Sequence, residues 1–274
     1  MKHKHIELVL SGGGARWVAH IGVIKRLIEH GYHISAVSGA SAGSLIWLFV
    51  CSGMPIDDII DLVTHVKLRD MLKIDISLTS YMNLNNLEKI IKQYIAYDDL
   101  ADLPCPLYVS TTDLKTGHNI IYSQGNISTL IKASCSIPFS FKAVSYDRKI
   151  LVDWGITNNF PIEPFVSGYD ELVRNQTNTI PLHHDRRRPL LIGIDVNPYE
   201  SLQKNSIAEV IPRSLKLLVQ QSYQFKKHLC DYCIQPQALK KIGIFHAHHY
   251  QQIIEIGYQA AEDQWWSQQE RSEL

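Results

Sequence analysis

Ser38-Gly39-Ala40-Ser41-Ala42-Gly43-Ser44 lies between two apolar runs, Ile34 to Val37 and Leu45 to Cys51. The first run has the length of a buried strand and the second reads as a helix. Gly-x-Ser-x-Gly between strand and helix is the pattern of a nucleophile elbow. Such a turn is sharp and strained: it projects one serine hydroxyl while the helix N-terminus aims its unsatisfied N–H groups at the same point. Gly39 and Gly43 remove side-chain bulk on either side of Ser41. Five residues alone equally describe a Gly/Ser-rich turn, so the flanking chain has to decide.

Upstream, Ile6 to Leu10 reads as a strand and Ser11-Gly12-Gly13-Gly14 as a loop. Ala15 to His30 carries apolar residues at 18, 21, 24, 27 and 28, which is helical spacing, and Gly31 ends it. Strand, loop and helix therefore occur twice in the first 53 residues, and that alternation predicts a parallel sheet. Downstream, residues 54 to 104 read as helical. Strands are expected at Leu107 to Thr111 and Ile120 to Ser123, joined by a turn through Asp113 to Gly117. A short helix from Ile127 to Ala133 precedes a strand from Ile150 to Val152, with Asp153 at its end. A polar loop over 167 to 189 contains Arg186-Arg187-Arg188, which reads as a solvated run. A strand from Leu190 to Val196 and helices over about 212–228 and 250–266 complete an α/β fold. Its central sheet is expected to be mostly parallel and flanked by helices, with residues 1–274 forming a single domain.

Composition limits the function classes. The chain has 274 residues, 45% hydrophobic and 20% charged, with zero formal net charge, so nothing global favours nucleic acid as a partner. Five cysteines make an odd number without framework spacing, which suits a reducing, cytoplasmic setting. Cys230 and Cys233 form one C-x-x-C without a second pair, read as a coincidence at a helix end. The longest apolar run is too short for a membrane span, and the N-terminal one too short for a signal peptide.

A serine nucleophile needs a base and an oxyanion hole. Gly12, Gly13 and Gly14 can turn successive N–H groups toward one point, and the Ala42 amide can join them. Nucleotide sites fit poorly: Trp17 stands where a dinucleotide fingerprint needs its last glycine, and no Gly-Lys pair exists for a P-loop. For the base, His246, His248 and His249 would complete a Ser-His-Asp order, whereas Asp153 could accept the proton directly. Asp113 and Asp195 are competing carboxylates, the first read as turn chemistry. Neither the late histidines nor His183 and His184 have metal-ligand spacing.

Four blocks, in order, resemble the patatin-like phospholipase family. They are Gly12-Gly13-Gly14-Ala15-Arg16 with Ala19 to Val23, Gly39 to Gly43, Ala133 to Pro138, and Asp153-Trp154-Gly155 with Asn159 and Pro161. The motif-bearing core runs from about 6 to 165, and residues 166–274 complete the domain. The resemblance implies a three-layer sandwich and a lipid acyl hydrolase acting on lipid or phospholipid esters, with transient contact at a membrane surface. It implies Ser41 as nucleophile, Asp153 as base and the amides of Gly12 to Ala15 as oxyanion hole. No histidine, metal or cofactor is then required. Trp17 and Trp154 depart from the family pattern by replacing glycines beside the site, and are expected to border the acyl entrance. A Ser-His-Asp esterase and a catalytically weakened lipid- or protein-binding module remain the alternatives.

Overall fold

Strand β1 (Lys4–Leu10) shows why the sheet must be covered on both faces. Ile6, Leu8 and Leu10 enter the main hydrophobic cluster, while Val9 enters a second one with Phe160, Ile162, Leu191 and Tyr223. Successive side chains of a strand point to opposite faces, so the apolar run Leu8 to Leu10 requires packing on each. The structure, a computed structural model, describes residues 4–41, 43–65, 84–138, 141–153, 158–169, 188–199, 214, 217, 223–242 and 250–272.

The other strands are β2 (Tyr32–Ala40), β3 (Leu107–Asp113), β4 (Asn119–Tyr122), β5 (Val144–Tyr146), β6 (Lys149–Asp153), β7 (Leu190–Ile194) and β8 (Tyr232–Ile234). They form one sheet in the order β5-β6-β3-β2-β1-β7-β8, with β4 also paired to β3. Pairs β1–β2, β2–β3, β1–β7 and β7–β8 are parallel; β3–β4, β3–β6 and β5–β6 are antiparallel. The expected α/β class with a mostly parallel centre is therefore what the chain adopts. Helices α1 (Ala19–Glu29), α2 (Gly43–Cys51), α3 (Ile56–His65), α4 (Asn85–Tyr94), α5 (Ile127–Ser134) and α6 (Tyr250–Ser272) complete it. None of the described helices is long and apolar enough to cross a membrane.

Some boundaries differ from the sequence reading. The helix expected from Ala15 starts as a 3-10 turn, Gly14–Val18, with Gly14 at φ +56°, and becomes α-helical at Ala19. Strands β5 and β8 have three residues each, too few for a period-2 pattern to register. Cys230 stands at the C-terminal end of the helical residues 223–229, as expected, and Cys233 lies in β8. Of the helix expected over 212–228, only 214, 217 and 223–228 lie within the described residues, while His246, His248 and His249 lie outside them.

The C-terminal helix is held to the helix after the glycine loop at backbone distance. A Cβ on Gly22 of α1 would sit 1.9 Å from the Ile254 carbonyl oxygen, and one on Gly257 of α6 would sit 1.9 Å from that of Ala19. Beside this contact, Arg26 pairs with Glu262, and Tyr258 donates to Glu29 at 2.7 Å. Gly22→Ala is expected to destabilise the protein by about 1–3 kcal/mol, because the helices must separate to admit one methyl group. An unchanged denaturation midpoint would show that α1 and α6 are not packed this closely.

Candidate active site

The site is assembled by strand register. Ala40 of β2 pairs with Ser110 of β3, and the next residue of β3, Thr111, pairs with Asp153 of β6. Because β4 occupies the opposite edge of β3, β2 and β6 share one edge end to end. The chain leaves the sheet at Ser41 where Asp153 takes the next rung. The Ser41 hydroxyl donates to Asp153 Oδ2 at 2.5 Å, and both residues are buried.

Ser41 sits in the left-handed region at φ +62°. That conformation costs an L-residue about 1–2 kcal/mol, so the surroundings must hold it. Its N–H donates to Ser134 Oγ at 3.1 Å, and Ser134 Oγ donates onward to the Ser110 carbonyl at 2.9 Å. Its carbonyl accepts from the N–H and the hydroxyl of Ser44, each at 2.7 Å, and faces the Cys135 thiol at 3.5 Å. Asp153 N–H donates to the Ser136 carbonyl at 2.9 Å, so one short segment, 134–136, braces both members of the pair. The Cys135 thiol is pushed up to about 12, first by burial and then by the Asp153 carboxylate.

The glycines flanking Ser41 have a specific reason. A Cβ on Gly39 would lie 2.4 Å from Trp47 Cδ1, and one on Gly43 would lie 2.8 Å from Trp47 Nε1. The elbow rests on that indole, which is itself fully buried. Ala42, between them, lies outside the described residues.

Gly12 abuts the serine: a Cβ there would be 3.1 Å from Ser41 Cβ and 2.6 Å from Asn159 Oδ1. Its carbonyl accepts from Asn197 Nδ2 at 2.6 Å and Asn159 Nδ2 at 3.1 Å. The Ser11 carbonyl accepts from His20 Nε2 at 2.9 Å, and the Gly13 carbonyl from Arg16 N–H at 3.2 Å. Three carbonyls are thus held by donors, while the N–H groups of Gly12 to Ala15 have no acceptor among the described residues. A serine oxygen hydrogen-bonded to a buried carboxylate can pass its proton to it as the oxygen attacks an electrophile.

The segment after Asp153 is tied down from a distance. Ser38 Oγ donates to the Pro161 carbonyl at 2.6 Å. Lys226, 4% exposed, donates to the Phe160 carbonyl at 3.1 Å and Glu163 at 2.6 Å, and also to Asn158. Burial pushes the Lys226 pKa down, and Glu163 pulls against that shift.

Other expected residues fall elsewhere. Asp113 accepts from the N–H groups of Lys115 and Ile150 and from the Thr116 hydroxyl, as turn chemistry requires. Trp17 is 2% exposed within the main hydrophobic cluster and is not among the described residues with positive φ. Trp154 lies outside the described residues. Among the described residues no group of histidine, cysteine, aspartate or glutamate could hold a metal ion. Sequence reasoning missed His20, Ser134, Asn197 and Lys226 as supports. His20 carried a signal, being a polar residue within an otherwise apolar helical stripe; Lys226 carried none.

A doubly covered α/β sheet with a left-handed serine at a strand–helix turn defines a serine-elbow protein. The chain matches the family model described as patatin-like phospholipase over residues 8–166, and it belongs to that family. An uncharacterized NTE family protein of Mycobacterium tuberculosis is 28% identical over 77% of this chain and 56% of its own length. The neuropathy target esterase sws of Drosophila persimilis is 29% identical over 57% of this chain and 11% of its own length. The chain therefore spans only part of these relatives. In fold it is similar to VipD from Legionella pneumophila, with TM-score 0.54 and 17% identity over 96% of this chain and 67% of that one.

Burial lowers the His20 pKa to about 3, only partly offset by the bond to Ser11. The ring is thus neutral in the fold, and the stability this contributes is complete above pH 6.5 and lost as pH falls toward about 3. Wild-type stability should drop by about 1.4 kcal/mol per pH unit more than that of His20→Gln across this window. Parallel denaturation curves for the two proteins would contradict a neutral buried His20.

Proposed function

We propose that the chain is a serine lipid acyl hydrolase that cleaves carboxylic esters of lipids through Ser41 and Asp153. The observation that carries this reading is the 2.5 Å hydrogen bond between a left-handed serine and a buried carboxylate. Family membership supports the substrate class. Asp153 takes the Ser41 proton as Oγ attacks the ester carbonyl. The amides of Gly12 to Ala15, with that of Ala42, stabilise the resulting oxyanion, and removing one such donor typically costs about 3 kcal/mol of barrier. Asp153 returns the proton to the leaving alcohol, and water then repeats the sequence on the acyl-enzyme.

This reading takes the chain as one domain, because β7 and β8 extend the same sheet that carries Ser41. It needs no metal or histidine base. The substrate is a lipid or phospholipid ester, met by transient contact at a membrane surface. Five cysteines, an odd number without framework spacing, suit the reducing cytoplasm. Trp17, buried in the main hydrophobic cluster, and Trp154 are assigned to the border of the acyl entrance. Trp17→Gly is accordingly expected to change the preferred acyl length, and an unchanged preference would reduce the indole to core packing.

Intact-mass analysis after fluorophosphonate treatment tests the nucleophile and base. Wild type should gain one adduct, Ser41→Ala none, and Asp153→Asn should react at least about 100-fold more slowly. A triple His246, His248 and His249 to Ala variant should react like wild type. Absence of an adduct on folded wild type would favour a binding module, and loss in the triple variant would favour a Ser-His-Asp esterase.

A further inference from the structure

The Gly12 carbonyl is the part of the glycine loop that most needs holding. In a trans peptide the Gly12 C=O and the Gly13 N–H point in opposite directions. Fixing one fixes the other. Neither glycine has a Cβ to resist rotation of the peptide plane between them, so without a clamp that plane can flip. A flip would turn a carbonyl oxygen, in place of an N–H, toward any oxyanion beside Ser41.

The clamp comes largely from outside the region that the family model covers. Asn197 follows β7, the neighbour of β1 in the sheet. Its Nδ2 donates to the Gly12 carbonyl at 2.6 Å and to Asp195 Oδ1 at 3.0 Å. Both partners are acceptors only, so the amide must present its nitrogen to them and its orientation is chemically determined. Ser11 Oγ adds a third contact at 3.3 Å and also accepts from Val196 N–H at 3.0 Å. Asp195 also accepts from the Asn197 N–H at 3.0 Å and, on its other oxygen, from Gln235 Nε2 at 2.7 Å. Gln235 is in turn bracketed by Gln264 of α6, which accepts from its N–H at 2.9 Å and donates to its carbonyl at 3.0 Å. Asp195 and Asn197 are buried.

We infer that Asn197, oriented by Asp195, is a positioning residue that locks the Gly12–Gly13 peptide with its N–H toward the Ser41 oxygen. The chain of hydrogen bonds through Gln235 anchors this lock to the C-terminal helix. The catalytic part of the inference rests on the hydrolase reading; the structural part does not.

The test uses the full chain, p-nitrophenyl butyrate as substrate, and amide hydrogen exchange of the peptide spanning residues 11–16. In Asn197→Ala, kcat should fall about 10- to 100-fold with KM nearly unchanged, as expected for loosening one oxyanion donor. Exchange of the 11–16 segment should rise at least about fivefold while the β1 core stays protected. Gln235→Ala, further from the loop, should show the same two changes at smaller size and serves if Asn197→Ala does not fold. Unchanged exchange at 11–16 in a folded variant overturns the clamp. A loss expressed in KM rather than kcat overturns the oxyanion role. If wild type neither takes the fluorophosphonate nor cleaves the ester, the hydrolase reading fails by itself, and the exchange result still decides the clamp.

Discussion

Everything at the candidate site depends on two strands sharing one edge of β3. Because β2 ends at Ala40 and β6 pairs from Asp153, a serine leaving the sheet meets a carboxylate on the next rung. The 2.5 Å hydrogen bond between them follows from register, with no flexible loop required to bring them together. A one-residue slip of β6 would send the carboxylate to the other face of the sheet. Both pairings are antiparallel or parallel ladders within the buried core, which is why the juxtaposition is rigid.

That rigidity has to extend to backbone conformations that are unfavourable in isolation. Ser41 at positive φ is held through its N–H and its carbonyl by Ser134 and Ser44. The glycine loop is held through its carbonyls by His20, Asn159, Asn197 and Arg16 N–H. At Ser41 both backbone groups are occupied, whereas at the glycine loop the carbonyls are occupied and the N–H groups of Gly12 to Ala15 have no acceptor among the described residues. Buried polar side chains are costly unless satisfied, so their concentration around the ends of β1, β2 and β7 marks where the fold tolerates that cost. Ligands in parallel α/β sheets bind at this same edge, beyond the carboxyl ends of the strands.

The two asparagines illustrate how the parts differ in origin. Asn159 lies in a block that resembles the family, six residues after Asp153, whereas Asn197 lies beyond the matched residues. They converge on one carbonyl because Ser38 of β2 holds the Pro161 carbonyl two residues after Asn159, and β7 lies directly beside β1. The C-terminal third therefore contributes sheet edge, helix packing through Gly22 and Gly257, and a polar support for the glycine loop.

Much of this was legible in the residues themselves. Alternating apolar runs and Gly-rich turns identified the parallel α/β class. The elbow around Ser41, the triple glycine and the strand-end Asp153 were readable because each local chemistry needs particular residue types at short spacing. What the linear chain could not convey was the partner of each group. Trp47 explains Gly39 and Gly43, yet its contact with them depends on how α2 folds back beneath the turn. Nothing local to Asn197 or Lys226 says that one reaches Gly12, 185 residues away, or that the other reaches Glu163, 63 residues away. Local propensity and spacing determine elements and candidate chemistry. Long-range register and the burial of polar side chains, which exist only once the sheet is complete, decide which of those candidates meet.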